Sequence, residues 1–104
     1  MITAPCENAS KYVLPALRVN IAKLLAKNGF TQKEIANILG VAQPAVSKYL
    51  SNGFDRELKI LIENEKVKKC VDEIYQRILE GKRQEDIKRI LIEKTAELIK
   101  DKIV

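Results

Sequence analysis

The chain has 104 residues, of which 46% are hydrophobic and 32% charged, and its formal net charge is +5. This length is typical of one domain and supplies a single core, but it excludes a large enzyme cleft. Histidine is absent, which removes the commonest metal ligand and general base, and two cysteines alone cannot complete a zinc site in one chain. We therefore expect no catalytic site, no metal and no cofactor.

Signals for export or membrane insertion are missing from the sequence. No apolar run reaches the roughly 18 residues of a transmembrane helix, and the first residues lack the basic and apolar segments of a signal peptide. These features predict a cytoplasmic protein without a membrane partner. Cys6 and Cys70 are then expected to be reduced thiols, which more often act as small buried hydrophobic residues than as reactive groups.

Positive charge is concentrated in the first half of the chain. Residues 1–53 carry a formal charge of +4, and residues 54–104 carry +1. Such an excess is the expected footprint of a phosphate-binding surface, although an ordinary solubility charge explains it equally well.

An all-α fold is favoured, because Ile, Leu, Val and Ala supply most of the apolar content while Gly, Pro and aromatic residues are few. The first residues are expected to form an irregular arm. A helix is predicted to begin near Val13, with Pro15 in its first turn. The helix should end at Asn28-Gly29, where Gly29 can provide a left-handed cap.

Two short helices are predicted next, Gln32–Leu39 and Gln43–Leu50, with a tight turn between them. Their apolar positions are spaced to meet on one inner face. These positions are Ile35, Leu39, Val41, Val46 and Tyr49.

The local signals in this segment agree with one another. Thr31 and Glu34 have the spacing of a capping box. Ala36 is small enough to let the second helix cross close to the first, and Gly40 can take the positive φ that a sharp turn needs. With Val46 in the inner face, this pattern predicts a helix-turn-helix, a unit that places its second helix in the DNA major groove.

The outward face of the second motif helix is polar, since Gln43, Pro44, Ser47, Lys48 and Ser51 remain there. Gln43 can pair with adenine N6 and N7, and Lys48 can reach guanine or a phosphate. Pro44 can contact a thymine methyl group or merely stiffen the turn. For Gln43 the alternative is an exposed residue at the helix start, and for Ser47 it is simple exposure to solvent.

The start of the first motif helix is a second candidate contact with DNA. Gln32 opens the helix, where backbone N–H groups suit a phosphate, and Lys33 is a plausible phosphate contact. Arg18 can contact DNA, or it can form a structural ion pair with Glu7 or Glu34.

Ser51-Asn52-Gly53 predicts a boundary between a DNA-binding head, residues 1–53, and a helical extension, residues 54–104. Asp55 can cap a short helix that ends near Glu63, and a longer helix should follow to about Glu80. One continuous bent helix is the alternative. After the turn at 81–83, a last helix is expected over Gln84–Ile103, and the final two helices should form an amphipathic hairpin.

The apolar positions of the extension exceed what a head of this size needs to cover. They predict a homodimer built largely by residues 55–104, while completion of a monomeric core is the alternative. The positions are Val71, Ile74, Ile78, Ile87, Leu91 and Leu98.

Two pieces of the sequence, Pro5-Cys6-Glu7 and the stretch from Leu14 that reads LPALRVNIAKLLAKNGFTQKEIANILGVAQPAVSKYL, resemble a family of archaeal predicted transcriptional regulators. It is also similar to the N-terminal DNA-binding domain fused to some archaeal thiamine-phosphate synthases. The resemblance covers about residues 5–51 and implies a helix-turn-helix head of the phage-repressor type. Synthase activity is not expected, because the chain ends before a synthase domain could begin.

Two functions follow from these patterns. The first is a sequence-specific, double-stranded DNA-binding transcriptional regulator that acts as a homodimer. The alternative is a protein-interaction adaptor that keeps the fold without specific DNA binding. The polar and basic residues on the outward face favour DNA, and the sequence points to no particular small-molecule effector.

Overall fold

A computed structural model describes residues 5–51 and 53–101, with only the backbone described for residues 5–10. Within these ranges every regular element of secondary structure is an α-helix, which confirms the predicted fold class. No described helix is both long and apolar enough to cross a membrane. The helices are α1 (Pro5–Lys27), α2 (Gln32–Leu39), α3 (Gln43–Leu50), α4 (Arg56–Ile62), α5 (Glu65–Leu79) and α6 (Gln84–Lys100).

The first helix starts earlier than the sequence predicted. It begins at Pro5, so the expected irregular arm is wrong for residues 5–12, and Pro15 lies inside the helix rather than in its first turn. Pro5 suits the first helical position, because a backbone N–H there would have no acceptor within the helix. Pro15 removes one helical hydrogen bond, but the burial of apolar side chains close to it in sequence offsets that loss. They are Val13, Ala16 and Leu17.

The end of α1 agrees with the prediction. Gly29 has a φ of 93°, so it provides the left-handed cap. The Phe30 N–H donates to the Leu25 carbonyl at 3.1 Å, and the Gly29 N–H donates to the Ala26 carbonyl at 3.1 Å. These two bonds form a Schellman motif, which satisfies carbonyls at the end of the helix.

The break between α4 and α5 excludes the alternative of one continuous bent helix. Asn64 caps α5, because its Oδ1 accepts the N–H groups of Lys66 at 2.8 Å and Val67 at 3.2 Å. Asp55 precedes α4 as predicted, although its side chain makes no capping hydrogen bond. The described part of α6 ends at Lys100, and Ile103 lies outside the described residues.

One hydrophobic core includes residues from all six helices. α1 lies at its centre and packs against each of the other five helices. The Asn20 side chain also donates to the Ile62 carbonyl at 2.9 Å, which ties α1 to the end of α4. The fully or nearly fully buried core residues of the extension are Leu61, Val67, Val71, Ile74, Ile87, Leu91 and Leu98.

The apolar positions assigned from sequence to a dimer interface therefore complete the chain's own core. Ile74 is fully buried, Val71, Ile87, Leu91 and Leu98 are at most 5% exposed, and Ile78 is partly buried against the same cluster. Homodimerisation stays a prediction, but it needs a different surface. The large apolar side chains that remain exposed in the described ranges are Ile60, Leu79 and Ile92.

Candidate nucleic-acid interface

A capping box fixes the start of α2. Thr31 Oγ1 accepts the Glu34 N–H at 3.1 Å, and the Thr31 N–H donates to Glu34 Oε1 at 2.8 Å. The predicted structural role of Thr31 is thus confirmed. Gln32 and Lys33 follow at the beginning of the helix, and both are exposed to solvent.

The turn between α2 and α3 depends on a glycine. Gly40 has φ 67° and ψ 38°, in the left-handed region that the sequence predicted. Its N–H and that of Val41 both donate to the Ala36 carbonyl. Ala36 is almost completely buried, and α3 packs against α2 after this turn.

The inner face of the two helices is apolar, as predicted. Ile35, Leu39 and Val46 are fully buried. Val41 and Tyr49 are partly buried and pack against the same core. This packing holds α3 in place and determines which of its side chains point outward.

Side chains from both helices meet on the outer face. Gln32 of α2 and Gln43, Pro44 and Ser47 of α3 line one shallow, open depression, and all four are exposed. Pro44 lies in the first turn of α3, where its missing N–H costs little. The structure therefore brings these predicted site residues together on one accessible polar surface.

Lys33 and Lys48 are exposed but do not line this depression. Neither ammonium group forms an ion pair with a carboxylate in the described part of the chain. Both charges are therefore available to an external anion.

Ser51 has a local role at the end of α3. Its hydroxyl donates to the Lys48 carbonyl at 2.7 Å, so the hydroxyl proton already has an acceptor. In this conformation Ser51 cannot also donate to a phosphate oxygen. Its assignment to the DNA surface stays a prediction.

Arg18 forms no ion pair with a described carboxylate, so the predicted pair with Glu34 is absent, whereas a pair with Glu7 stays a prediction. Its Nε is buried and has no hydrogen-bond partner among the described residues. Glu34 is engaged in the capping box with Thr31, and the Glu7 side chain lies outside the described residues.

Residues 21–60 match the helix-turn-helix family.

This match spans the last seven residues of α1, both motif helices and most of α4. The N-terminal part of the chain thus carries a helix-turn-helix domain of the phage-repressor-like type, which is characteristic of DNA-binding regulators. No curated protein and no solved structure matches the chain.

The extension contributes residues to the helix-turn-helix that the sequence did not predict. Gln84 Nε2 donates to the Asn37 carbonyl at 2.6 Å, so the first turn of α6 is bonded to the end of α2. The end of the Lys88 side chain lies directly over Gly40, with Nζ 3.0 Å from the position that a Cβ would occupy there. The spacing of Gln84 and Lys88 places them on one face of a helix, but it does not show which element that face meets.

A polar groove between α5 and α6 is a separate feature of the surface. Lys94 contacts Glu73 across it, and this hydrogen bond raises the pKa of Lys94. Burial raises the pKa of the Cys70 thiol, which disfavours the reactive thiolate. The groove is lined by residues of α5 and α6 and by Asp101 at the end of α6, and none of these residues belongs to the helix-turn-helix.

The described ranges contain no group of three His, Cys, Asp or Glu side chains that could hold a metal ion. The Cys6 side chain lies outside the described residues. Cys70 is partly buried and packs against the core.

Proposed function

We propose that this protein is a sequence-specific, double-stranded DNA-binding transcriptional regulator that acts as a homodimer. One observation carries the proposal: the exposed polar surface that Gln32, Gln43, Pro44 and Ser47 form on a helix-turn-helix. A protein-interaction surface would tend to be apolar or acidic at these positions, whereas this one offers amide and hydroxyl groups, and the exposed bases Lys33 and Lys48 lie on the same two helices.

α3 reads the bases in this proposal. Gln43 is exposed in the first turn of α3, where an amide can donate to adenine N7 and accept from adenine N6. Pro44 beside it offers an apolar contact to a thymine methyl group. Ser47 lies one turn further along the same face and can accept or donate a single hydrogen bond.

Phosphate contacts position α3 in the groove. Gln32 and Lys33 lie at the start of α2, where the helix dipole and backbone N–H groups favour an anion. Lys48 extends from the exposed side of α3 toward a phosphate or a guanine. Contacts of this kind fix the register of a protein on the duplex without reading its sequence.

The small surface that α3 presents to the bases supports a homodimer. One short helix contacts few base pairs, so helix-turn-helix proteins commonly bind two half-sites about one helical turn apart. The core position of the residues first assigned to the interface means that outer surface residues must supply the contact. We also propose that residues 5–51 are related to the archaeal predicted regulators and to the DNA-binding domains fused to thiamine-phosphate synthases. A cytoplasmic location is part of the same proposal.

Selection of bound duplexes from a random pool tests this function most broadly. The full chain is expected to enrich one short motif with two related half-sites. The mass of the complex, measured in parallel, should correspond to two copies per duplex. Failure to enrich any motif would favour an adaptor without specific DNA binding.

Replacing Gln43 with Ala should relax base preference without reducing stability. The side chain is exposed, so the core loses no contact, whereas a lost bidentate base contact costs about 1–3 kcal/mol of discrimination. Competition binding on the selected site and its single-base variants measures this change.

Gln76→Ala is the matched control, because Gln76 is an exposed glutamine on α5, remote in sequence from the motif. It should keep the parent's preferences. If Gln43→Ala also ranks the variant sites as the parent does, the assigned base-reading role is wrong.

A further inference from the structure

We propose that Lys88 of α6 is a phosphate contact of the same DNA-binding surface, so that the extension forms part of that surface. The inference rests on the proposed DNA-binding function. It adds a residue that lies about forty positions beyond α3 and outside the matched helix-turn-helix segment.

The position of Lys88 is fixed by the docking of α6. Ile87 and Leu91 are buried on the inner side of this helix, each 1% exposed, which sets its rotation. The hydrogen bond from Gln84 to the Asn37 carbonyl then holds the first turn of α6 against α2. Lys88, one turn after Gln84, therefore faces the turn between α2 and α3.

The absence of a side chain on Gly40 makes room for the lysine. The Lys88 stem passes over this glycine, and the ammonium group ends beside the turn. Gly40 precedes Gln43 by three residues, a separation of at most about 11 Å between their Cα atoms. The major groove is about 12 Å wide, so a cation beside this turn lies within reach of the sugar-phosphate strand that borders α3.

Lys88 also keeps its charge available. It is exposed, and it forms no ion pair with any described carboxylate, Glu85 of the preceding turn included. Two other bases on α6 differ in this respect. Arg89 pairs with Asp86 at 2.9 Å, and Lys94 pairs with Glu73.

The salt dependence of binding tests this contact. Each neutralised phosphate contributes about 0.9 to the slope of log K against log salt concentration. Lys88→Gln in the full chain should therefore reduce the magnitude of that slope by about 0.9 on the selected duplex. Lys68→Gln removes the same charge from an exposed site on α5 and should leave the slope at the parent value.

Lys88→Arg provides a second variant that keeps both the long stem and the charge. Lys88→Arg should keep the slope of the parent, because the phosphate contact is retained. Comparison with Lys88→Gln then separates loss of the phosphate contact from any disturbance of the turn. Equal slopes for the parent, Lys88→Gln and Lys68→Gln would overturn the Lys88 contact and leave the regulator intact. Absence of DNA binding by the parent would overturn both proposals together.

Discussion

A chain of residues 1–53 will not fold on its own. Its longest helix, α1, buries part of its surface against α4, α5 and α6, and all of these partners lie beyond residue 53. Exposure of a large aliphatic side chain costs about 1.5–3 kcal/mol, while a whole domain is stable by only about 5–15 kcal/mol. Removal of the extension exposes several such side chains, so the loss should exceed the total stability.

Circular dichroism during heating or urea titration measures this result. The full chain should unfold in one cooperative transition, and the shortened chain should show none. Addition of a peptide of residues 54–104 should restore helical signal, because it returns the missing core residues. A cooperative transition in residues 1–53 alone would show that the head is an independent domain.

Gly40→Val should destabilise the protein strongly. A β-branched residue at a φ of 67° is severely disfavoured, and strain of this type costs about 1–3 kcal/mol. The new side chain would also collide with the stem of Lys88, which would have to move. A clear fall in melting temperature is the expected outcome.

Gly53→Val is the control for this substitution. A Cβ at Gly53 meets no atom within 4 Å, and its φ lies outside the positive range, so its melting temperature should stay close to the parent's. If Gly40→Val melted at the parent's temperature as well, the conformation assigned to the turn would be incorrect.

Local signals allowed the helix-turn-helix to be predicted accurately. The bounds of α2 and α3 agree with the sequence interpretation, because each is set by neighbouring residues: the capping box of Thr31, the left-handed Gly40 and the apolar spacing of the inner face. The exposure of Gln32, Gln43, Pro44 and Ser47 follows from the same spacing, since the opposite face is buried.

Features that depend on distant packing could not be predicted in this way. Periodicity shows that one face of α5 and α6 must be buried, but not whether the partner is a second copy or α1. The position of Lys88 over Gly40 could not be predicted for the same reason, because it depends on the packing of α6 against α2. Pro15 favoured a helix start, but burial of its neighbours outweighed that local preference.

The affinity of the full chain for a selected duplex and for a scrambled duplex of the same length, measured over rising salt, tests the central claim most directly. We expect the selected duplex to bind at least about 10³-fold more tightly at physiological salt. Both affinities should fall steeply as the salt concentration rises, because binding of the basic residues to phosphates releases counterions from the DNA and added salt makes that release less favourable. Equal affinity for the two duplexes at every salt concentration would contradict a sequence-specific regulator.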